Sequence, residues 1–354
     1  MTAEPVRVSR VGASVSSASR RSDARMSRTL WRWARPLGGA AILAVLVFRL
    51  GTGPFLDGVR KIDAWSLAAA AGIAVLTTVS CAWRWSLVAR GLGVGMPLRV
   101  AVAAYYRSQF LNTTLPGGVL GDVHRGVRHG SDVGDVGRGL RAVAWERSAG
   151  QVVQVVLTMI VLLLLPSPVR SSVPVVATAI VATAIAAVLL SRALPHSGPS
   201  RWARILRAAA ADLRDGLLAR RAWPGIVAAS AVVVTGHAVT FLIAAHTAGS
   251  TTSPVRMLPL AMLVLLATAV PANVGGWGPR EGVAAWVFGA AGLGAAQGIA
   301  TATVYGVMVL VANLPGAVVL IVAWRHRDTR GPDQADSRQL RPPATARPDG
   351  AARG

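Results

Sequence analysis

The chain has 354 residues, of which 53% are hydrophobic and 15% are charged, and its formal net charge is +22. Soluble proteins carry about a quarter charged residues, so this composition excludes an ordinary soluble enzyme and a disordered protein. The single cysteine, Cys81, excludes a scaffold held by intramolecular disulfides. The charged residues gather in two tails and a few short loops between long Ala-, Val- and Leu-rich stretches. The sequence therefore predicts an all-α fold, a polytopic transmembrane helix bundle.

The two tails are rich in arginine. Residues 1–35 are also rich in serine, and residues 325–354 are rich in proline. Because arginines flank the apolar segments, we interpret the basic excess as a membrane-topology signal and expect no nucleic-acid partner. Both tails are expected to be disordered and cytoplasmic, with no cleaved signal peptide at the start.

Eight apolar runs in residues 36–324 are candidate membrane spans, although the first and the seventh are shorter than the roughly 20 residues that a span needs. They cover about residues 36–51, 64–84, 140–165, 172–193, 223–248, 255–272, 281–294 and 296–324. The loop at 192–221 holds seven arginines and is expected to be cytoplasmic. About eight spans fit that orientation only if residues 98–137 enter and leave on the cytoplasmic side. We therefore predict a re-entrant or broken helical element there, the alternative being a full crossing by 98–116.

Residues 199–221 have apolar side chains at helical spacing with arginines between them. This pattern predicts an amphipathic helix lying on the cytoplasmic leaflet. A solvated connector helix is the alternative.

Two loops interrupt the apolar pattern in the same way. Each places an asparagine and a proline at a helix end, then a glycine pair, a further glycine, and a carboxylate close to an arginine. The residues singled out are Arg107, Asn112, Gly117, Gly118, Asp122 and Arg125 in the first loop, and Asn273, Gly275, Gly276, Arg280 and Glu281 in the second. Irregular backbone is tolerated at membrane depth only inside protein or beside a wet cavity, and the helix start it creates favours anions. Two such breaks in the two halves of a membrane protein point to a possible internal repeat with a substrate site at the repeat interface. The alternative is a pair of tight loops in which glycine only permits close helix packing.

Three acidic residues, Asp122, Glu146 and Glu281, lie beside apolar segments in the body of the chain. Charges inside a membrane are costly and are usually paired or functional. Asp122 and Arg125 are three residues apart, so they can pair on one helix face. Glu146 is placed in the first turns of its helix, where an interfacial position is the alternative.

A polar stripe follows on the same helix. Arg147, Gln151 and Gln154 are spaced i, i+4 and i+7, so they share one face, which we expect to point into the bundle. His237 lies in an apolar helix and is interpreted as a hydrogen-bonded core residue. The histidines lack the spacing of metal ligands, and no nucleotide-binding loop follows either glycine pair, so no cofactor, metal or catalytic residue is predicted.

The ordered set of motifs resembles the family of the transmembrane region of lysylphosphatidylglycerol synthases, described as flippase-like membrane proteins. The resemblance covers about residues 36–324. It is carried by Asn112, Leu115-Pro116-Gly117-Gly118, Gly121-Asp122, Arg125, Glu146-Arg147, Pro271, Gly275-Gly276, Gly278 and Arg280-Glu281. The family implies a helical domain that, in bifunctional members, moves an aminoacylated phospholipid between leaflets. Relatives without the enzyme are linked to envelope lipids and lipid-linked sugars.

The resemblance does not include the soluble domain that transfers an amino acid from tRNA to lipid, so aminoacyl transfer is not expected. The family often has an arginine in the last helix, where this chain has Tyr305. This departure from the family pattern bears on the site chemistry, whereas the lysyl-lipid substrate is not carried over because the aminoacyl-transferase domain is not part of the resemblance.

From these features we predict a translocase (flippase) of a phospholipid or lipid-linked envelope precursor in a bacterial plasma membrane, not an enzyme. Its expected partner is a membrane lipid with an anionic or phosphate-bearing headgroup. Arg107, Arg125, Arg147 and Arg280 are expected to hold the phosphate together with loop amides, while the three acids orient them. A non-transporting scaffold or regulator of an envelope glycosyltransferase is the alternative. A membrane transferase acting on lipid phosphates is third.

Overall fold

The computed structural model describes residues 37–175, 178–179, 182, 208–270 and 273–328. Within these ranges the chain is helical, and the only β-type pairing is an isolated bridge between Val274 and Trp277. The helices are α1 (Leu37–Leu50), α2 (Gly53–Arg60), α3 (Ala64–Gly91), α4 (Leu98–Thr114), α5 (Leu120–Asp132), α6 (Val136–Leu164), α7 (Trp223–Thr247), α8 (Pro254–Ala267), α9 (Pro279–Ala290), α10 (Ala295–Ala312) and α11 (Pro315–Asp328). A π-helical turn, Leu213–Leu217, precedes α7.

Three predictions fall wholly or partly outside the described residues. These are the two tails, most of the candidate span at 172–193, and the first part of the amphipathic helix at 199–221. Residues 208–212 of that helix are α-helical and continue into the π-helical turn.

Four helical units are long and apolar enough to cross a membrane: α3, α6, α7 and the combined stretch Ala295–Arg325. A fifth is possible if α1 and α2, which meet at 95°, form one broken span. The polytopic helical bundle is thus confirmed, whereas the predicted number of about eight spans is not. The runs predicted at 255–272 and 281–294 form helices of 14 and 12 residues, too short for a crossing of about 30 Å at 1.5 Å per residue.

Aspartates fix the starts of two long helices. The side chain of Asp63 accepts a hydrogen bond from the Ser66 amide at 2.7 Å, and Asp135 accepts one from the Arg138 amide at 2.8 Å. Each satisfies an amide that the first helical turn leaves without a partner. Because α6 begins at residue 136, Glu146 lies well inside the helix and not in its first turns as predicted.

The long helices pack closely through small residues. Gly225 of α7 lies against Leu87 of α3, and Gly236 of α7 lies against Thr77 of α3, so the two helices run antiparallel. Between α5 and α6, a side chain at Gly130 would overlap the backbone of Val136. Glycine is therefore required where α5 turns back onto α6, and this approach brings the polar face of α5 against α6.

Two short helical hairpins, α4–α5 and α8–α9, carry the two glycine-rich loops. The second hairpin packs into the largest apolar cluster, which joins α7, α8, α9 and α10. Phe241 of α7 and Phe288 of α9 are fully buried there, with ring centroids 6.4 Å apart. Each loop is thus presented by a packed scaffold.

Candidate functional site

The tips of the two hairpins meet. The Gly117 amide donates a hydrogen bond to the Asn273 carbonyl oxygen at 2.9 Å, joining residues 156 positions apart. Gly118 has φ +62° and leaves no room for a Cβ beside the Asn273 side chain. Gly275 has φ +58°, and a Cβ at this position would lie 3.2 Å from the Thr113 carbonyl oxygen, a tight but less severe approach. The two loops, which the sequence singled out separately, therefore form one structure.

A central cavity of about 260 Å³ lies beneath these tips. Both hairpins contribute to it, through Asn112, Gly118, Asn273, Gly276 and Arg280. Helices α3, α6, α7 and α10 complete the wall with Arg84, Arg147, Gln151, Gln154, His237, Tyr305 and Asn313. The volume is near the lower end of the roughly 300–1,000 Å³ typical of small-molecule sites, so it suits a headgroup rather than a whole lipid.

The predicted polar stripe of α6 faces this cavity. Arg147, Gln151 and Gln154 all line it, together with Gly150 between them. Their i, i+4, i+7 spacing therefore gives the orientation that the sequence predicts.

Five side chains form an ion network at the cavity: Arg84, Arg125, Arg147, Asp122 and Glu146. Arg84 and Arg147 line the cavity, and the other three are not among its lining residues. Glu146 is the centre, with no solvent exposure. Its Oε1 accepts from Arg84 at 2.5 Å and its Oε2 from Arg125 at 3.0 Å, and the Tyr105 hydroxyl adds a bond of 3.2 Å. Buried charges persist only when paired and hydrogen-bonded, and this carboxylate is both.

Arg125 is enclosed and does not reach the central cavity. Its guanidinium carbon lies 4.4 Å from the centroid of the Trp85 ring and 4.2 Å from that of Tyr105. Its Nη2 donates to Asp122, confirming the predicted i, i+3 pair, and also to Glu146. Because the Arg125 side chain is not exposed to solvent, the faces of the two aromatic rings stabilise its positive charge in place of water. Arg125 therefore anchors α5 to α3, α4 and α6.

Arg147 is the accessible member of the network. Its Nη2 lies 2.6 Å from Asp122 Oδ2, while 41% of its side chain is exposed, against 5% for Arg84 and 0% for Arg125. Three guanidinium groups face two carboxylates in the network, which leaves a formal charge of +1. The surplus positive charge is thus presented to the cavity by Arg147.

Asp122 lies on α5, a polar helix that is not among the candidate spans. Burial by itself raises the pKa of Asp122, but the guanidinium groups of Arg147 and Arg125 and a hydrogen bond from Ser108 outweigh it. The pKa of this carboxyl is held below its ordinary value. Asp122 therefore stays ionised and keeps Arg147 in place.

Elsewhere on the cavity wall, Arg280 pairs with its neighbour Glu281. Its Nε and Nη2 donate to Glu281 Oε1 at 2.8 and 2.5 Å, and the Gly278 amide donates to Glu281 Oε2 at 2.7 Å. The Arg280 guanidinium also lies over the rings of Trp277 and Tyr305, at 5.0 and 5.5 Å from their centroids. Glu281 is fully buried and orients Arg280 at the cavity wall.

Tyr305 is part of this wall as well. Its hydroxyl is 2.9 Å from Nδ1 of His237, so the histidine is hydrogen-bonded within the bundle as predicted. This contact places a neutral phenol beside Arg280, at a point where the family pattern led us to look for an arginine.

Several loop amides that we expected to hold a phosphate are engaged within the protein. Besides Gly117 and Gly278, the Gly121 amide donates to the Asn112 side chain at 2.8 Å, and the Gly276 amide donates to that of Asn273 at 3.2 Å. The two asparagines thus satisfy the backbone that the glycine breaks expose. Their role in this structure is to shape the loops.

Arg107 is 7% exposed and lies outside the central cavity. It lines a separate groove between α4 and α5, together with Arg99, Arg128 and the inner residue Arg125. Of the four arginines predicted to form one headgroup site, the structure brings Arg147 and Arg280 to the cavity and places Arg107 and Arg125 on this other side.

Arg84 was missed by sequence reasoning. It lies in α3, 4% exposed, and bonds Glu146, Ser230 and Cys81. The available signal was an arginine flanked by Trp83 and Trp85 at the end of an apolar run. Because tryptophans are typical of span ends, the two flanking rings favour an interfacial position in the sequence, whereas the structure buries the cation.

These features define a helical membrane domain with two hairpin loops converging on an arginine-bearing cavity. The family model described as lysylphosphatidylglycerol synthase TM region matches residues 34–316. The chain therefore belongs to that family, and it is a multi-pass membrane protein. Comparison with curated proteins and with solved structures finds no match.

Proposed function

We propose that the protein translocates a phospholipid or a lipid-linked envelope precursor across a bacterial plasma membrane, with both termini in the cytoplasm. The observation that carries the proposal is the central cavity, in which Arg147 presents surplus positive charge at the meeting point of two broken hairpins. A lipid phosphate cannot cross hydrocarbon without a substitute for its hydration. Guanidinium groups supply that substitute, since their planar fork matches phosphate oxygens.

In this proposal the network and the cavity have different roles. Glu146, Arg84 and Arg125 hold α3, α5 and α6 together. When a lipid phosphate binds, the Arg147 guanidinium keeps its bond to Asp122 and donates its remaining N–H groups to the phosphate. Arg280, oriented by Glu281, is the second cavity-lining arginine that contacts the headgroup. The acyl chains stay in lipid, because the cavity accommodates a headgroup only. No chemical step is required.

The chain offers a matched pair of variants to test this. Arg147 and Arg141 are both on α6, with 41% and 43% of their side chains exposed, and each has one carboxylate partner. Arg141 pairs with Asp212 at 2.8 Å and is not among the cavity residues. Arg147→Gln should lower the rate of lipid movement by about tenfold or more, since a charge-assisted hydrogen bond contributes about 1.5–3 kcal/mol. Arg141→Gln should leave it unchanged.

The rate is measured in proteoliposomes with acyl-labelled fluorescent phosphatidylglycerol, as the loss of signal when a membrane-impermeant quencher is added. Gel filtration and thermal unfolding of both variants check that they fold. If neither variant changed the rate, or if wild-type protein moved no lipid above protein-free vesicles, the translocase proposal would be abandoned. A non-transporting scaffold would then replace it.

The proposed orientation has its own test. Ser250→Cys in a Cys81→Ala background places one thiol in the loop between α7 and α8, which is expected to face the cell exterior. Labelling of intact cells by an impermeant thiol reagent supports the orientation, and protection of the thiol contradicts it.

A further inference from the structure

The central cavity is rich in carboxamide side chains. Gln109 of α4, Gln151 and Gln154 of α6, and Asn313 at the end of α10 line it in addition to the loop asparagines. Each carboxamide offers one acceptor oxygen and two N–H donors. Such groups are costly inside a membrane bundle unless they bond to protein, water or a ligand.

Most of this hydrogen-bonding capacity is unused by the protein. Gln109 accepts from the Thr78 hydroxyl at 3.0 Å through its oxygen, and that bond leaves its amide nitrogen as a donor. Across the described residues, no side-chain hydrogen bond engages Gln151, Gln154 or Asn313. Asn313 is nevertheless 5% exposed, so its amide faces the cavity rather than open solvent.

No aspartate or glutamate is among the described residues that line the cavity. The nearest carboxylates are already engaged: both Glu281 oxygens bond Arg280 or Gly278, and both Asp122 oxygens bond neighbouring side chains. A positively charged headgroup would therefore lie near Arg147 and Arg280 with no free counter-charge. Like charges at close range in a water-poor site repel strongly.

A small recess of about 30 Å³ adjoins this wall. It shares Gln109, His237 and Asn313 with the central cavity and adds Thr77, Thr78 and Thr240. The three threonine hydroxyls donate to Ala74, Gln109 and Gly236, so their oxygens remain as neutral acceptors, and the size of the recess suits a hydroxyl group or a single water molecule. It has no charged residue among its described lining.

We infer that the headgroup is a phosphate followed by an uncharged, hydroxyl-bearing group such as glycerol, inositol or a sugar. Three features support this: the carboxamide side chains that line the cavity, the lack of aspartate and glutamate among the described lining residues, and the uncharged recess. The phosphate lies at Arg147 and Arg280, and the hydroxyls bond to Gln109, Gln151, Gln154 and Asn313. Amine-bearing headgroups are discriminated against. The inference rests on the proposed translocase function and names its substrate class.

The test compares acyl-labelled lipids in the same proteoliposomes. Phosphatidylglycerol and phosphatidylinositol carry hydroxyls, phosphatidylethanolamine carries an amine, and phosphatidic acid carries the phosphate alone. Wild-type protein should move the first two about tenfold faster than the others, because only their hydroxyls can form hydrogen bonds with the cavity carboxamides without adding a positive charge. The double variant Gln151→Leu, Gln154→Leu should slow phosphatidylglycerol and leave phosphatidic acid unchanged.

Gln297→Leu is the matched control, since Gln297 bonds the Ala248 carbonyl and is not among the cavity residues. A second variant tests the same inference even if the double variant does not fold. Gln151→Glu places a carboxylate on the wall and should shift the rate ratio toward phosphatidylethanolamine.

The outcomes separate the two proposals. Movement that depends on Arg147 but is equal for all four lipids, or a Gln151→Glu variant with an unchanged ratio, overturns the substrate class and leaves the translocase standing. Absence of any lipid movement, or movement indifferent to Arg147→Gln, overturns both.

Discussion

Two adjacent residues of α6 face very different surroundings. Glu146 is sealed among Arg84, Arg125 and Tyr105 with no exposure, whereas the side chain of Arg147 is 41% exposed and lines the central cavity. Both belong to the same ion network of five side chains. Glu146 lies at its closed centre, between Arg84 and Arg125, whereas Arg147 lies at its edge and carries the formal positive charge that the two carboxylates do not balance. One residue of α6 thus holds helices together, and the next residue along the chain is exposed to the cavity.

The largest effect on stability is expected at Glu146, the buried centre of the ion network. Glu146→Gln removes the charge between Arg84 and Arg125, so we expect a loss of about 3–5 kcal/mol, as when one partner of a buried pair is removed. Thermal unfolding of the purified protein measures it. Arg138→Ala is the control, because Arg138 and Asp135 pair with 45% and 43% exposure and such pairs contribute about 0–1 kcal/mol. Equal losses in the two variants would mean that the network is not a closed core.

The next largest loss of stability is expected where the tips of the two hairpins pack against each other. Gly118→Ala places a Cβ against Asn273 at positive φ, while Gly134→Ala has φ +75° and nothing within 4 Å. Gly134→Ala should cost about 1–2 kcal/mol for the backbone alone, and Gly118→Ala about 1–3 kcal/mol more for the overlap. The same unfolding measurement separates them. If the two costs agree, the tips do not pack against each other.

A smaller effect is expected where the cavity meets the apolar core. Tyr305→Phe removes the hydroxyl that bonds His237 and keeps the ring under Arg280. The expected cost is about 0.5–1.5 kcal/mol, one buried hydrogen bond. Phosphatidylglycerol movement should persist, since Arg147 and Arg280 are untouched. Complete loss of transport with an intact fold would give the hydroxyl a direct role that we do not assign to it.

The smallest effect is the pH dependence of the stability that Asp122 contributes. Because the pKa of Asp122 is held below its ordinary value, its stabilising contribution is fully present above about pH 4 and is lost only as the pH falls further. The stability difference between wild type and Asp122→Asn should therefore stay constant from about pH 8 to pH 5. A difference that shrinks within that range would show that Asp122 is not held by its arginines.

Local spacing predicted the elements that depend on neighbours along the chain. The Asp122–Arg125 pair and the α6 stripe follow from helical periodicity, and the helical membrane fold follows from composition. The meeting of Gly117 with Asn273 does not, because it joins distant segments whose approach is decided by packing. For the same reason the sequence could not show that Arg107 and Arg125 lie apart from Arg147 and Arg280, with which we predicted them to form one phosphate site.

The length of the apolar runs was a weaker guide. Runs at 255–272 and 281–294 were apolar enough to suggest spans, yet the helices they form are short and belong to a hairpin. α8 ends at Ala267, before the loop that carries the glycine pair, and α9 ends at Ala290, just before Gly292 and Gly294, both of which have positive φ. Composition alone does not distinguish a buried hairpin from a crossing.

The proposed function requires Arg147 to hold a lipid phosphate in the cavity. Native mass spectrometry of the wild-type, Arg141→Gln and Arg147→Gln proteins, each released from detergent with added phosphatidylglycerol, measures it directly. We predict that wild type and Arg141→Gln retain one lipid more than Arg147→Gln under matched conditions. Equal retention by all three proteins would contradict the claim.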